Sequence, residues 1–96
     1  MNEFFDELGR DLAAAAAARG ATVEPAQLGS EVAAELLELA RVTAHTRERR
    51  FAPLSCFLAG VAIERMRSTV PRLTDAEAAS YVRDVRQALE SRSAPE

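Results

Sequence analysis

The sequence predicts an all-α protein, a compact four-helix arrangement with an apolar third helix at its centre. Apolar residues recur at three- and four-residue intervals, the period of a helix, and nowhere alternate as they do in a half-buried strand. Alanine, the strongest helix former, accounts for 20 of the 96 residues. Gly20, Pro25 and Pro71 fall between the periodic segments. We therefore expect one helical domain over residues 1–90 and a flexible tail over residues 91–96.

Capping residues define the ends of the first two helices. Asn2 is a good N-cap for a first helix that ends near Arg19, since Gly20 can adopt the left-handed conformation that often follows a helix. Ser30 is the expected N-cap of a second helix, which continues to about Thr46. The six alanines in the second half of the first helix are strong helix formers, and we interpret them as such.

Three glutamates follow one face of the second helix. Glu31, Glu35 and Glu38 have a spacing that would suit a metal, but an acidic stripe of this kind is more typical of a solvated face. We therefore predict that these carboxylates face solvent. Glu38 and Arg41 are also spaced for an i,i+3 ion pair.

The third helix is the most apolar segment of the chain. Pro53 fits its first turn, where a missing N–H costs nothing, and the helix is expected to continue to about Ser68. Its first half is apolar nearly all round, which is typical of a helix buried in the middle of a bundle. Gly60 would allow another helix to approach closely.

A capping box opens the fourth helix. The segment 74–77 has the form Thr-x-x-Glu, in which each of the two side chains can accept a hydrogen bond from the other residue's backbone N–H. An apolar stripe that includes Val82 and Val85 follows at helical spacing. We expect this helix to end at about Leu89 or Ser91, before the polar tail.

Charge is unevenly distributed along the chain. The net charge is −3, with −6 on residues 1–40, +5 on residues 41–72 and −2 on residues 73–96. All 12 basic residues are arginine, which we interpret as a compositional bias. A basic centre between acidic ends favours oriented docking or self-association, whereas nonspecific nucleic-acid binding requires a net basic domain. We therefore expect no nucleic-acid partner.

The sequence also limits the compartment. A single cysteine forms no internal disulfide, which fits a reducing cytoplasm. The N-terminus is acidic and does not resemble a signal peptide. The longest apolar run, residues 51–63, is too short to span a bilayer. We expect a cytoplasmic protein without a membrane partner.

No catalytic constellation is evident in the sequence. Cys56 lies among apolar residues, where a thiol is usually an inert packing group, although it is close to the N-terminus of the third helix and to arginines. His45 is the only histidine, and one histidine with one cysteine does not complete a zinc site. We predict a protein without enzymatic activity, metal or cofactor. A thiol or metal enzyme built on Cys56 and His45 is a third hypothesis.

The best functional candidate is a group of basic residues between the second and third helices, which we call the basic junction. It consists of Arg41, His45, Arg47, Arg49 and Arg50. Arginines next to a helix N-terminus attract carboxylates and phosphates, because the first N–H groups of a helix need acceptors. The alternative is a solvated loop in which the arginines pair with Glu48 and with the acids of the first two helices.

The same region carries a recognisable sequence pattern. It consists of Leu39-Ala40-Arg41, Ala44-His45, Arg50, Ala52-Pro53-Leu54, Phe57-Leu58 and Gly60-Val61-Ala62. The pattern resembles a family of small uncharacterised actinobacterial proteins, found alone or near or fused to molybdopterin-guanine-dinucleotide biosynthesis proteins. The close resemblance covers about a third of the chain. Two departures are Phe51 and Cys56, which replace residues that are usually smaller or hydroxylated.

The resemblance implies an accessory or interaction role near molybdenum-cofactor maturation or a molybdoenzyme, and it points first to His45, Arg50 and Pro53. The leading hypothesis is thus a non-enzymatic accessory protein that binds a protein partner, or a second copy of itself, through the basic junction. The alternative is a small anion- or nucleotide-binding domain that uses the same junction and the N-terminus of the third helix.

Overall fold

A computed structural model describes residues 2–93, and within them the chain forms four α-helices and no strand. The all-α prediction is therefore confirmed. The helices are α1 (Glu3–Ala18), α2 (Ser30–Thr46), α3 (Phe51–Thr69) and α4 (Asp75–Ser93). The chain divides into two compact units, Met1–Ser30 and Glu31–Glu96. The expected single domain over residues 1–90 stays a prediction.

The first unit contains α1 and the segment that follows it. Asn2 caps α1 as predicted, because its side-chain oxygen accepts a hydrogen bond from the N–H of Phe5 at 3.3 Å. Gly20 has a φ of 84°, the left-handed conformation expected after the helix. At Gly9 the helix meets the backbone carbonyl of Ala26, so closely that a Cβ would collide with it. This contact explains why a glycine lies inside the helix.

In the second unit, α2 and α4 run parallel and are joined by polar contacts along their length. The N–H of Glu31 donates to Asp75 at 2.9 Å, near the start of both helices. Towards their C-terminal ends, Arg41 lies 3.9 Å from Glu90. The connection between α2 and α3 is short, so α3 runs antiparallel to both.

The core of the second unit lies mainly between α2 and α4. Its buried apolar residues are Val32, Ala33, Leu39, Val42, Ile63, Leu73, Ala78, Ala79 and Val82. Only Ile63 comes from α3, so the prediction of a buried central third helix is not confirmed. The physical reason is that α3 is apolar on more than one side, and its packing buries only the side that carries Ile63.

The ends of the last helix test two further predictions. The capping box is confirmed, since the N–H of Thr74 donates to Glu77 at 2.9 Å and the N–H of Glu77 donates back to Thr74 at 3.1 Å. The helix continues to Ser93, beyond the predicted end at Leu89 or Ser91. The predicted flexible tail therefore begins within α4, and residues 94–96 lie outside the described residues.

Candidate functional site

All five residues of the basic junction are exposed, and three of its arginines contact different acceptors. Arg41 forms the predicted ion pair with Glu38 at 3.0 Å. This hydrogen bond and the charge of Glu38 raise the pKa of the Arg41 guanidinium above its ordinary value. Arg50 binds Glu48 at 2.9 Å, and Arg47 donates to the backbone carbonyl of Thr46 at 3.2 Å. Most of these arginines thus have an acceptor within the chain.

The N-terminus of α3 does not offer the free donors that an anion site requires. The N–H of Phe51 donates to the carbonyl of Glu48 at 3.0 Å, and the N–H of Ala52 donates to the carbonyl of Arg49 at 3.1 Å. Pro53, the third residue of the helix, has no N–H. The N–H groups of the first turn therefore already have backbone acceptors. The anion-binding alternative stays a prediction, and the helix N-terminus does not add free donors to the side chains of the basic junction.

Cys56 has the surroundings of a packing residue. Its thiol lies 3.5 Å from the backbone carbonyl of Leu36, and burial raises its pKa above the ordinary value. A nucleophilic cysteine needs the opposite shift, because the thiolate is the reactive form. Within residues 2–93, no group of three or more His, Cys, Asp or Glu side chains is placed to hold a metal ion.

The most conspicuous surface of the second unit is an exposed apolar stripe on α3, which we call the α3 stripe. It consists of Leu54, Phe57, Leu58 and Val61, at the i, i+3, i+4 and i+7 spacing of one helix face. Three of these side chains are largely exposed, with 61% for Leu54, 69% for Phe57 and 67% for Leu58. Gly60 lies beside the stripe, with nothing within 4 Å of the position a Cβ would take.

A cleft lies between the three helices of the second unit, with a volume of about 310 Å³. Leu39, Thr43 and Val82 are buried residues that line it, and the exposed Leu58 and Val85 lie at its edge. Thr43 is 4% exposed. Its hydroxyl oxygen is buried and has no hydrogen-bond partner among residues 2–93. This is unusual, because buried polar side-chain atoms are nearly always paired.

Comparison with known proteins identifies the family. The match covers residues 1–96 and is to a domain of unknown function, DUF6457. The chain belongs to the DUF6457 family. The expectation of an uncharacterised family is confirmed by this match. No curated protein and no solved structure matches the chain. Within the described part of the DUF6457 chain, no helix has both the length and the apolar content needed to cross a membrane.

Glu35 of the DUF6457 chain differs from its predicted position on a solvated face. This carboxylate was expected to face solvent, but its side chain is only 13% exposed and binds Arg83 at 2.9 Å and Arg86 at 3.3 Å. Burial alone would raise its pKa, and the hydrogen bonds and charges of the two arginines outweigh burial and lower it. The sequence signal was present, since Arg83 and Arg86 lie on one face of α4 at i,i+3 spacing.

Thr43 is a second residue whose role was not predicted. It is buried on α2 together with Leu39 and Val42. A polar side chain at a core position of an amphipathic helix is the signal that would have drawn attention to the cleft.

Proposed function

We propose that this protein is a non-enzymatic accessory protein that binds a partner protein through the α3 stripe. The observation that supports the proposal is the exposure of three large apolar side chains at helical spacing, 61–69% each, in a chain of 96 residues. Contiguous exposed apolar side chains mark interaction sites, because leaving them in water has a free-energy cost that a partner removes. In this proposal the basic junction lies beside the apolar contact and contributes charge at its edge.

The partner that fits this surface is an amphipathic helix with acidic residues along its edges. A stripe with i, i+3, i+4 and i+7 spacing matches the apolar face of a second helix, and the open position beside Gly60 admits a close approach. Arg49 and Arg50 precede the stripe and Arg65 follows it, all of them exposed. Their charges favour carboxylates on the partner and speed its association.

The biological setting of the proposal rests on the sequence. The resemblance to proteins found with molybdopterin-guanine-dinucleotide biosynthesis proteins makes molybdenum-cofactor maturation factors and molybdoenzymes the first partners to test. A cytoplasmic location belongs to the same proposal and is supported by the single cysteine, which fits a reducing compartment.

The test compares Phe57→Glu with Val70→Glu. Val70 is also an exposed apolar residue, 43%, but it follows the C-terminus of α3 and lies outside the stripe. Each tagged variant is expressed in the native cell, and the proteins that co-purify are quantified by mass spectrometry. Circular dichroism confirms that both variants keep their helices.

We expect one partner to co-purify with Val70→Glu but not with Phe57→Glu. We also expect the isolated partner to bind the wild-type protein through an acidic amphipathic helix. Equal recovery with both variants would overturn the proposal. Light scattering of the purified protein adds a further outcome: a dimer that Phe57→Glu dissociates would mean that the stripe joins two copies of this chain, contradicting the separate partner.

A further inference from the structure

We propose that the cleft between α2, α3 and α4 is a binding site for a linear apolar molecule that carries one carboxylate. The cleft adjoins the surface of the proposed function at Leu58, which lies at its edge, but Leu54 and Phe57 do not line it. Its lining is mainly apolar with a few polar groups, which is the composition of small-molecule sites. Three observations carry the proposal: an unpaired buried hydroxyl, the dimensions of the space and its charge.

The first observation is the hydroxyl of Thr43. The residue is 4% exposed, and its oxygen has no partner among residues 2–93. Leaving a buried hydroxyl unpaired destabilises the folded protein. A valine has nearly the same shape without this cost, so packing does not explain the threonine. A ligand oxygen that accepts a hydrogen bond from Thr43 would remove the deficit.

The second observation is the size and length of the space. A volume of about 310 Å³ holds about ten non-hydrogen atoms, taking about 30 Å³ for each water-sized group. Along α4 the lining residues extend from Tyr81 to Arg92, which is about 16 Å at 1.5 Å per residue. A small volume spread over that length fits one extended chain better than a fused ring system.

The third observation is the charge of the lining. Arg92 is the one charged side chain among the lining residues in the described range. Helices α2 and α4 run parallel, and Arg41 of α2 lies 3.9 Å from Glu90 of α4. Thr43 and Arg92 each follow one of these two residues by two positions, so they lie at the same level along the helices. Arg92 and Thr43 therefore lie at the same end of the cleft, where a guanidinium and a hydroxyl can both donate to a carboxylate. The apolar chain would then lie along Val82 and Val85.

The test uses decanoate, at concentrations where it is monomeric, with 1-decanol as the uncharged ligand of equal length. Binding to the full chain is measured by calorimetry and by backbone NMR shifts. Five variants are compared with the wild type, and one of them is Phe57→Glu in the α3 stripe. Ala62→Phe fills the cleft, Thr43→Val and Arg92→Gln change the head-group end, and Ala34→Phe adds the same ring at an exposed position of α2 outside the lining.

We expect decanoate to bind the wild type and Ala34→Phe equally, with affinity lowered at least tenfold in Ala62→Phe and about tenfold in Thr43→Val. Arg92→Gln should weaken decanoate and leave 1-decanol unchanged. Without ligand, Thr43→Val should also raise the midpoint of thermal unfolding. This result would show that the variant binds decanoate more weakly although it is folded. Phe57→Glu should bind decanoate like the wild type. The decanoate test and the partner test can therefore fail independently of each other.

Two results would overturn the proposal. One is the absence of decanoate binding to the folded wild type. The other is equal binding by the wild type, Thr43→Val and Ala62→Phe, which would mean that decanoate associates with exposed apolar surface and not with the cleft.

Discussion

The α3 stripe and the basic junction adjoin each other in the sequence but differ in how their groups are satisfied. Arg41, Arg47 and Arg50 in the junction already have acceptors within the chain. Phe57 and Leu58 in the stripe are more than 60% exposed. A charged group that is exposed and paired loses little by remaining so, whereas an exposed apolar stripe gains free energy when covered. The exposed apolar side chains are therefore better candidates for binding a partner than the paired arginines are.

The two sides of α3 should differ most in their effect on folding. We expect Ile63→Ala, on the buried side, to lower the free energy of unfolding by about 3 kcal/mol, because it removes core contacts and leaves a cavity. Phe57→Ala should change it by less than about 1 kcal/mol, because its ring is 69% exposed. Urea unfolding followed by circular dichroism measures both. A large loss in Phe57→Ala would show that the stripe is part of the fold and contradict its role as a free surface.

The ion pairs of Glu35 between α2 and α4 are less exposed than the ion pair of the basic junction. Glu35→Gln should lower the free energy of unfolding at pH 7 by about 1.5 kcal/mol, because the carboxylate binds two arginines with its side chain 13% exposed. Arg50→Gln breaks the pair with Glu48, whose two side chains are at least half exposed, and should change it by less than about 0.5 kcal/mol.

Glu35 also predicts a pH dependence. Because the arginines lower its pKa in the folded protein, the ion pairs stabilise the fold above the ordinary value of 4.5, and that contribution is lost as the pH falls through the lower folded pKa. Urea midpoints between pH 7 and pH 3 should therefore fall more steeply for the wild type than for Glu35→Gln. Parallel curves would mean that Glu35 is not engaged in the folded protein.

Local signals gave most of the fold, because they act within a few residues. Asn2, Gly20 and the Thr74–Glu77 box each mark a helix end through one or two hydrogen bonds, and all were predicted correctly. Which side of α3 would be covered depends on how α2 and α4 pack, and helical periodicity carries no information about that. For Glu35, the spacing of Arg83 and Arg86 indicated a pair of cations on one face of α4, but not which carboxylate 48 and 51 residues away they would bind.

The smallest expected effects come from the junction and test how it contributes to binding. Arg47→Ala and Arg49→Ala, both exposed, should leave the free energy of unfolding within about 0.5 kcal/mol of the wild type. If they steer an acidic partner to the α3 stripe, each should slow association severalfold at low salt and little at high salt, because salt screens exposed charges. Dissociation should be unchanged, since the apolar contact is intact. Surface plasmon resonance with the isolated partner measures both rates. A faster dissociation in Arg49→Ala that persists at high salt would place this arginine inside the contact and return the basic junction to the binding site itself.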